Sequence, residues 1–151
     1  MAKVPSIQQT YYLSSPPSKV FAALTDPDQL TRWFVEKASM NPKEGGSFRL
    51  SWGAGFSMRG KVRTFDPPKK LHLAWIDHLE GGKVFETEAR FTLKKKGRGT
   101  LLTINHRGFK SGKQWIALYG AIQSGWAYYL SNLKSVLDHG VDLRSAHDAL
   151  G

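Results

Sequence analysis

One histidine, His106, stands on the apolar side of an alternating pattern, with Leu102 and Ile104 before it. An imidazole changes its charge near neutral pH, so His106 could bind a ligand or act as a general acid or base. It could equally be a core histidine, with its ring satisfied by a backbone carbonyl or by Thr87, its expected cross-strand partner. Both readings stay open, and His106 is the one weak catalytic candidate.

Other catalytic and metal chemistry finds little support in the sequence. The chain has no cysteine, which excludes thiolate nucleophiles, cysteine zinc sites and disulfides. A nucleophile elbow, a phosphate-binding glycine loop and a dinucleotide fingerprint are also missing. His72, His78 and Glu88 are metal-ligand types without metal-motif spacing, and a surface pair of Glu88 with His72 explains them better. We therefore expect no metal and no cofactor, and we lean away from an enzyme.

Between residues 47 and 109 the apolar residues recur with period two, which is typical of β-strands. Turns rich in glycine or proline interrupt this pattern, and an earlier strand is predicted at Ile7–Leu13. The segments therefore predict successive antiparallel hairpins. Three registers keep one face apolar, and they pair Trp52 with Phe56, Thr64 with Leu71 and Leu93 with Thr100. The first two registers place Gly60 between the rings of Phe48 and Trp75, where a glycine leaves room for them.

Three helices are predicted around these strands. Ser15 and Asp26, each followed by proline, indicate the starts of two short consecutive helices. A capping-box pattern at Ser111 opens a long amphipathic helix of about 28 residues, roughly 42 Å, and Gly140 ends it. The fold class is therefore α+β: a curved antiparallel sheet of six to seven strands around a long C-terminal helix. We expect one domain over residues 1–140 and a frayed tail over residues 141–151.

A curved sheet and one helix about 10 Å wide leave space between them. Either large side chains fill this space, or a small molecule occupies it. Many of the residues expected to point inward are aromatic. The predicted ligand-binding residues are Trp52, Phe56, Met58, Trp75, Phe85, Thr87, His106, Phe109, Trp115, Tyr119 and Trp126.

The net charge of +10 raises the question of a polyanionic partner. The basic clusters at residues 69–70 and 94–98 adjoin turn residues, as solvated hairpin tips do, and no exposed aromatic residues interleave with them. We therefore do not expect nucleic-acid binding. The N-terminus lacks the apolar core of a signal peptide, and no apolar run approaches the ~20 residues of a membrane span. We expect a cytoplasmic protein.

Several segments taken together resemble the activator of heat-shock-protein-90 ATPase family, within the START-like (SRPBCC) superfamily. They are Pro16 to Pro27, the Arg32-Trp33-Phe34 triplet, Gly45 to Phe48, Gly99 to Thr103, His106 to Phe109, and Gly125-Trp126. The resemblance spans about residues 5 to 139 and implies the helix-grip fold, without a shared catalytic or metal set. The eukaryotic activator resembles this chain only in its C-terminal domain.

Three functions are therefore weighed. The leading one is a non-catalytic domain that holds a small hydrophobic or aromatic ligand between the sheet and the long helix. The second, which follows from the family resemblance, is a protein-partner module with a chaperone as partner and a role in stress response. A homodimer is also considered. The superfamily's cyclases add a cyclase or aromatase-type enzyme that would use His106.

Overall fold

The computed structural model describes residues 4–53 and 55–145, without the side chain of Glu80. Seven antiparallel strands form one sheet in the order β1-β7-β6-β5-β4-β3-β2. The elements are β1 (Ile7–Leu13), α1 (Pro17–Thr25), α2 (Pro27–Trp33), β2 (Lys37–Met40), β3 (Ser47–Gly53), β4 (Phe56–Asp66), β5 (Lys70–His78), a 3-10 turn (Glu80–Gly82), β6 (Val84–Lys96), β7 (Gly99–Arg107) and α3 (Lys113–His139). The predicted α+β helix-grip architecture is confirmed.

The sheet buries one face against the helices, as the period of two predicts. Gly60 pairs with Phe48 on one side and with Trp75 on the other, which confirms that part of the register. A Cβ atom at Gly60 would lie 2.6 Å from Cζ of Phe48 and would also collide with the carbonyl oxygen of Ala74. Glycine is needed here because the neighbouring ring and backbone approach so closely, and not for a special backbone angle.

The sequence-based register is wrong in the β6–β7 hairpin. Leu93 pairs with Leu102 instead of Thr100, because the chain turns tightly between Lys96 and Gly99. A shift of two residues keeps every side chain on its face, so His106 still points inward. Irregularities in the ladder also change the pairing near two other turns: Thr64 pairs with His72, and Gly53 pairs with Phe56.

The helix boundaries follow the predicted pattern with two corrections. Neither Ser15 nor Ser111 is a cap: Pro16 and Gly112 stand at those N-cap positions without a side-chain hydrogen bond. Asp26 does cap α2, because its side chain accepts a hydrogen bond from the Asp28 backbone N–H at 3.0 Å. The left-handed Gly140, with φ of 69°, ends the 27-residue α3 as expected.

The segment after α3 differs from the frayed tail expected from residue 141. Asn132, fully buried in α3, accepts a hydrogen bond from the Leu143 backbone N–H at 2.7 Å. Arg144 donates to the carbonyl oxygens of Thr31 at 2.8 Å and Val35 at 3.2 Å, and pairs with Asp142. These bonds tie the start of the tail to α2 and α3. The rest of the predicted tail, residues 146–151, lies outside the described residues.

The main core lies between the sheet and the inner face of α3, where Leu130 and Leu133 are fully buried. The backbone of α3 approaches β1 and α2 most closely. Within the described ranges, no helix has the length and apolarity needed to cross a membrane.

Candidate functional site

A cavity of about 420 Å³ lies between α3, the C-terminal end of β5 and the hairpin end of β3 and β4. Its size is in the range of small-molecule sites, which are mostly apolar with a few polar groups. Its walls combine aromatic, aliphatic and polar side chains. They are Phe34, Trp52, Phe56, Trp75, Asp77, His78, Leu79, Leu118, Ala121, Ile122, Gly125, Trp126 and Tyr129.

Phe34 lies at the centre of the aromatic part of the wall. Its ring centroid is 5.2 Å from that of Trp52, 5.4 Å from Trp126 and 5.1 Å from Tyr129. Trp75 in turn lies 5.2 Å from Trp126. Aromatic rings at these separations attract one another through offset and edge-to-face contacts. The capped helix α2 places Phe34 directly after its last turn, and the mutual contacts hold the rings in place.

The α3 side of the cavity contains two small residues. Ala121 and Gly125 are four residues apart and therefore share one face of the helix. A Cβ atom at Gly125 would meet no atom within 4 Å, so this position faces open space. The larger neighbours Leu118, Ile122 and Tyr129 frame this gap. The cavity exists in part because these two positions carry almost no side chain.

Two polar atoms of the cavity-lining residues are buried without a hydrogen-bond partner among the described residues. They are Nε1 of Trp52 and Oδ2 of Asp77. Burial raises the pKa of Asp77 to about 6, and the charge of His78 acts in the opposite direction. An N–H donor and a carboxyl acceptor therefore accompany the apolar walls.

His106 lies behind the cavity wall instead of lining it. The side chain is fully buried, with Nε2 at 2.6 Å from Oγ1 of Thr87 and Nδ1 at 3.0 Å from Nε1 of Trp126. An indole N–H only donates, so Nδ1 accepts and the proton of the neutral ring belongs on Nε2, which donates to Thr87. Burial lowers the pKa of His106 to about 3. The neutral ring thus fixes the orientation of Trp126, and neither nitrogen is free to act as an acid or base on a ligand.

Four of the predicted binding residues line the cavity: Trp52, Phe56, Trp75 and Trp126. The other seven do not line it. Met58 belongs to the main core, and His106 with Thr87 forms the hydrogen-bonded pair behind Trp126. The remaining four belong to a second apolar cluster with Ile7 and Leu118. There the ring centroids of Phe85 and Trp115 are 4.2 Å apart and the rings are stacked, and the ring centroids of Phe109 and Tyr119 are 5.0 Å apart. The sequence pattern predicted these four to point inward, and in the second cluster they pack on one another.

The sequence reasoning missed several wall residues. Leu118, Ile122 and Tyr129 were in the apolar stripe of the long helix, and Phe34 followed the second short helix. Asp77 stands two residues after Trp75 and therefore on the same face of β5, a signal that was not used, whereas His78 is the last residue of the strand. Small residues within the helical stripe, such as Gly125, were a usable signal for a gap.

The surface groups considered for metal binding are arranged differently. Glu88 forms its ion pair with Arg90, its neighbour on β6, instead of with His72. Among the described residues, no group of three or more His, Asp or Glu side chains could hold a metal ion.

Comparison with known proteins identifies the family. The model for activator of Hsp90 ATPase homolog 1-like proteins matches residues 14–138. No match was found among curated proteins. The crystal structure of protein MLL2253 from Mesorhizobium loti is 27% identical, with a TM-score of 0.76, over 87% of this chain and 96% of that one.

Two further solved structures share the fold. The Aha1 dimer from Colwellia psychrerythraea is 22% identical, with a TM-score of 0.76, over 91% of this chain and 98% of that one. PFC0360w, an HSP90 activator from Plasmodium falciparum, is 23% identical, with a TM-score of 0.74, over 89% and 97% of the two chains. With a family match that spans most of its length and the predicted helix-grip fold, the chain belongs to the family of activator of Hsp90 ATPase homolog 1-like proteins.

Proposed function

We propose that this protein is a non-catalytic binding module that holds a small hydrophobic or aromatic molecule in the cavity between the sheet and α3. The observation that carries the proposal is the cavity of about 420 Å³ with six aromatic residues in its walls. A space of this size accommodates a molecule of several fused rings or a short lipid chain. The absence of cysteine suits a reducing compartment, and we place this function in the cytoplasm.

The cavity does not reflect loose packing throughout the protein. Deeper under α3, around Leu24, Leu30 and Trp33, the remaining space is only about 10 Å³. That is about the minimum needed for a single water molecule. The same sheet and the same helix therefore pack closely at one end and separate at the other, which supports a cavity with a specific role.

A cavity-filling substitution tests the proposal. Gly125→Leu places a branched side chain into the open space, whereas Gly120→Leu adds the same side chain to an exposed position of the same helix. Both changes raise helix propensity, so they differ mainly in cavity volume. Native mass spectrometry against a library of lipids and small aromatic metabolites should show saturable 1:1 uptake by the wild type and by Gly120→Leu. Gly125→Leu should bind the same compounds at least about tenfold more weakly, a loss of ~1.4 kcal/mol.

Wall substitutions extend the test to the aromatic residues. Trp75→Ala and Trp126→Ala each remove a ring that contacts the cavity, and both should weaken uptake. No saturable uptake by the wild type, or equal uptake by Gly125→Leu and Gly120→Leu, would contradict a ligand site under α3.

A second candidate is a protein-partner module of the chaperone-activator type, and family membership favours it. The supporting surface is the β6–β7 turn, where Lys94, Lys95, Lys96 and Arg98 are exposed and none takes part in the ion pairs of the described residues. A pull-down with the host's heat-shock protein 90 should capture the chain at low salt and lose it at high salt, because exposed charges are screened. Replacing the three lysines by glutamine should have the same effect as salt. A chaperone that is not captured under either condition argues against this candidate.

A further inference from the structure

The described residues contain two buried side-chain polar atoms without a hydrogen-bond partner, and both belong to the wall of the same cavity. Buried polar atoms are nearly always paired, so each exception calls for an explanation. Trp52 Nε1 is a donor and Asp77 Oδ2 is an acceptor. Their occurrence together in one cavity indicates what a bound molecule has to supply.

The two atoms restrict the charge and the polar groups of that molecule. An anionic group would be repelled by the Asp77 carboxylate. An ammonium group would satisfy Asp77, but it has no lone pair for the Trp52 N–H. A hydroxyl group both donates and accepts, so a neutral hydroxylated compound suits either residue.

We propose that the cavity selects uncharged ring compounds that carry a hydroxyl group, which can donate to Asp77 or accept from Trp52 Nε1–H. This selection rests on the proposed function, because it presupposes that the cavity binds a small molecule. The rings of Phe34, Trp75 and Trp126 contact the apolar body of the ligand. The hydroxyl group sets its orientation.

The two groups can reach a ligand only if their side chains rotate. Both atoms are closed off from solvent in the structure. The χ2 torsions of Asp and Trp end in planar groups, for which the rotation is broad instead of three-fold. A ligand that pairs with the carboxyl group or the indole N–H therefore selects a nearby orientation of each side chain.

The test uses five probes with one ring system: naphthalene, 2-methoxynaphthalene, 2-naphthol, 2-naphthoate and 2-naphthylmethylammonium. Titrations followed by 1H-15N NMR give the dissociation constants, and the indole N–H signals report the polar contact directly. 2-Naphthol should bind about tenfold more tightly than 2-methoxynaphthalene, which accepts but does not donate. The Trp52 indole signal, assigned with Trp52→Phe, should move downfield with 2-naphthol and less with naphthalene.

Matched variants test whether the preference for 2-naphthol depends on Asp77 and Trp52 or on the general effect of substituting a carboxylate or a tryptophan. Asp77→Asn and Trp52→Phe should each reduce the preference for 2-naphthol over naphthalene. Asp66→Asn, which removes an exposed carboxylate, and Trp115→Phe, which changes a ring outside the cavity, should keep that preference.

The outcomes distinguish this inference from the proposed function. Equal affinity for 2-naphthol and naphthalene, or tightest binding of the ammonium or carboxylate probe, overturns the hydroxyl selection but leaves the binding function standing. Failure of all five probes to bind at their solubility limits, together with no uptake of any library compound, overturns both.

Discussion

Two titratable side chains, the buried His106 and the half-buried Asp77, respond to pH in opposite directions. Burial makes each charged form unfavourable, and this lowers the pKa of the histidine and raises the pKa of the aspartate. Their effects on stability follow from which state, folded or unfolded, binds the proton more tightly.

For His106 the unfolded chain binds the proton more tightly. Its folded pKa of about 3 lies below the usual 6.5. The contribution of the neutral His106 to the free energy of unfolding is therefore fully present above pH 6.5 and is lost as the pH falls towards 3. The slope of this loss reaches about 1.4 kcal/mol per pH unit. His106→Gln, whose amide can still bond to Thr87 and Trp126, should flatten this part of the pH profile of urea unfolding. His139→Gln, which replaces an exposed histidine, is the matched control, and a full slope in His106→Gln would contradict the assignment.

For Asp77 the sign is reversed. Its folded pKa of about 6 lies above the usual 3.8, so the folded protein binds the proton more tightly and loses stability as the pH rises from 3.8 to 6. Asp77→Asn removes this loss. Its unfolding free energy relative to wild type should therefore increase across that interval, by up to about 1.4 kcal/mol per pH unit, and level off above pH 6. A difference from wild type that stays constant from pH 4 to pH 7 would mean that Asp77 is not buried in this way.

At the scale of elements, the sequence predicts what alternation and capping control. Gly60 was placed correctly between Phe48 and Trp75, because a one-residue slip would have exposed both rings. The β6–β7 register was wrong by two residues, which alternation cannot detect. The edge strand β2, only four residues long, was not located.

The candidate site was harder to predict for a related reason. Alternation in strands and three- to four-residue spacing in helices tell which residues face inward, but not which of these residues contact another side chain. Phe85 and Trp115 stack on each other, whereas Trp52 and Trp75 face the cavity. That difference depends on how far α3 stands from each strand, which is a property of the assembled sheet and helix.

The packing of the tail on α2 and α3 leads to a prediction about the domain boundary. A chain that ends at Gly140 loses the Leu143 and Arg144 hydrogen bonds, including the donor to Oδ1 of the buried Asn132, whose Nδ2 keeps its bond to the Trp33 carbonyl oxygen. Because a buried polar group left unpaired is costly, this truncation should reduce the free energy of unfolding by about 2–4 kcal/mol. A chain that ends at Ser145 keeps these hydrogen bonds and is the reference for this comparison. Equal stability of the two truncated chains would instead support the boundary expected at residue 140.

At the scale of the whole molecule, the cavity results from the different shapes of the sheet and the helix. The backbone of α3 lies closest to β1 and α2. Leu130 and Leu133 fill the space beneath one part of α3, while Ala121 and Gly125 leave it open elsewhere. One helix thus provides both part of the core and one wall of the cavity. The effects of substitutions at its cavity positions on ligand binding can therefore be compared with the effects of substitutions at its core positions on stability.

The net charge of +10 also acts on the whole molecule. The described residues form three ion pairs, and Arg49 lies directly opposite Arg59 on the outer face of the sheet. Like charges in this position repel, and a strongly charged protein as a whole is destabilised by self-repulsion. The wild type should therefore become more stable as NaCl is raised from low concentration to about 0.2 M, where exposed charges are largely screened.

The local part of this repulsion can be isolated. Arg59→Gln should stabilise the protein at low salt by less than about 1 kcal/mol, and the gain should shrink as salt is added. Lys19→Gln removes the same charge from an exposed position on α1 and serves as the matched control, with a smaller gain. Equal gains in both variants would assign the effect to net charge alone. If the free energy of unfolding of the wild type does not depend on salt, self-repulsion is negligible. An acidic partner could then not stabilise the fold by reducing repulsion between the basic residues.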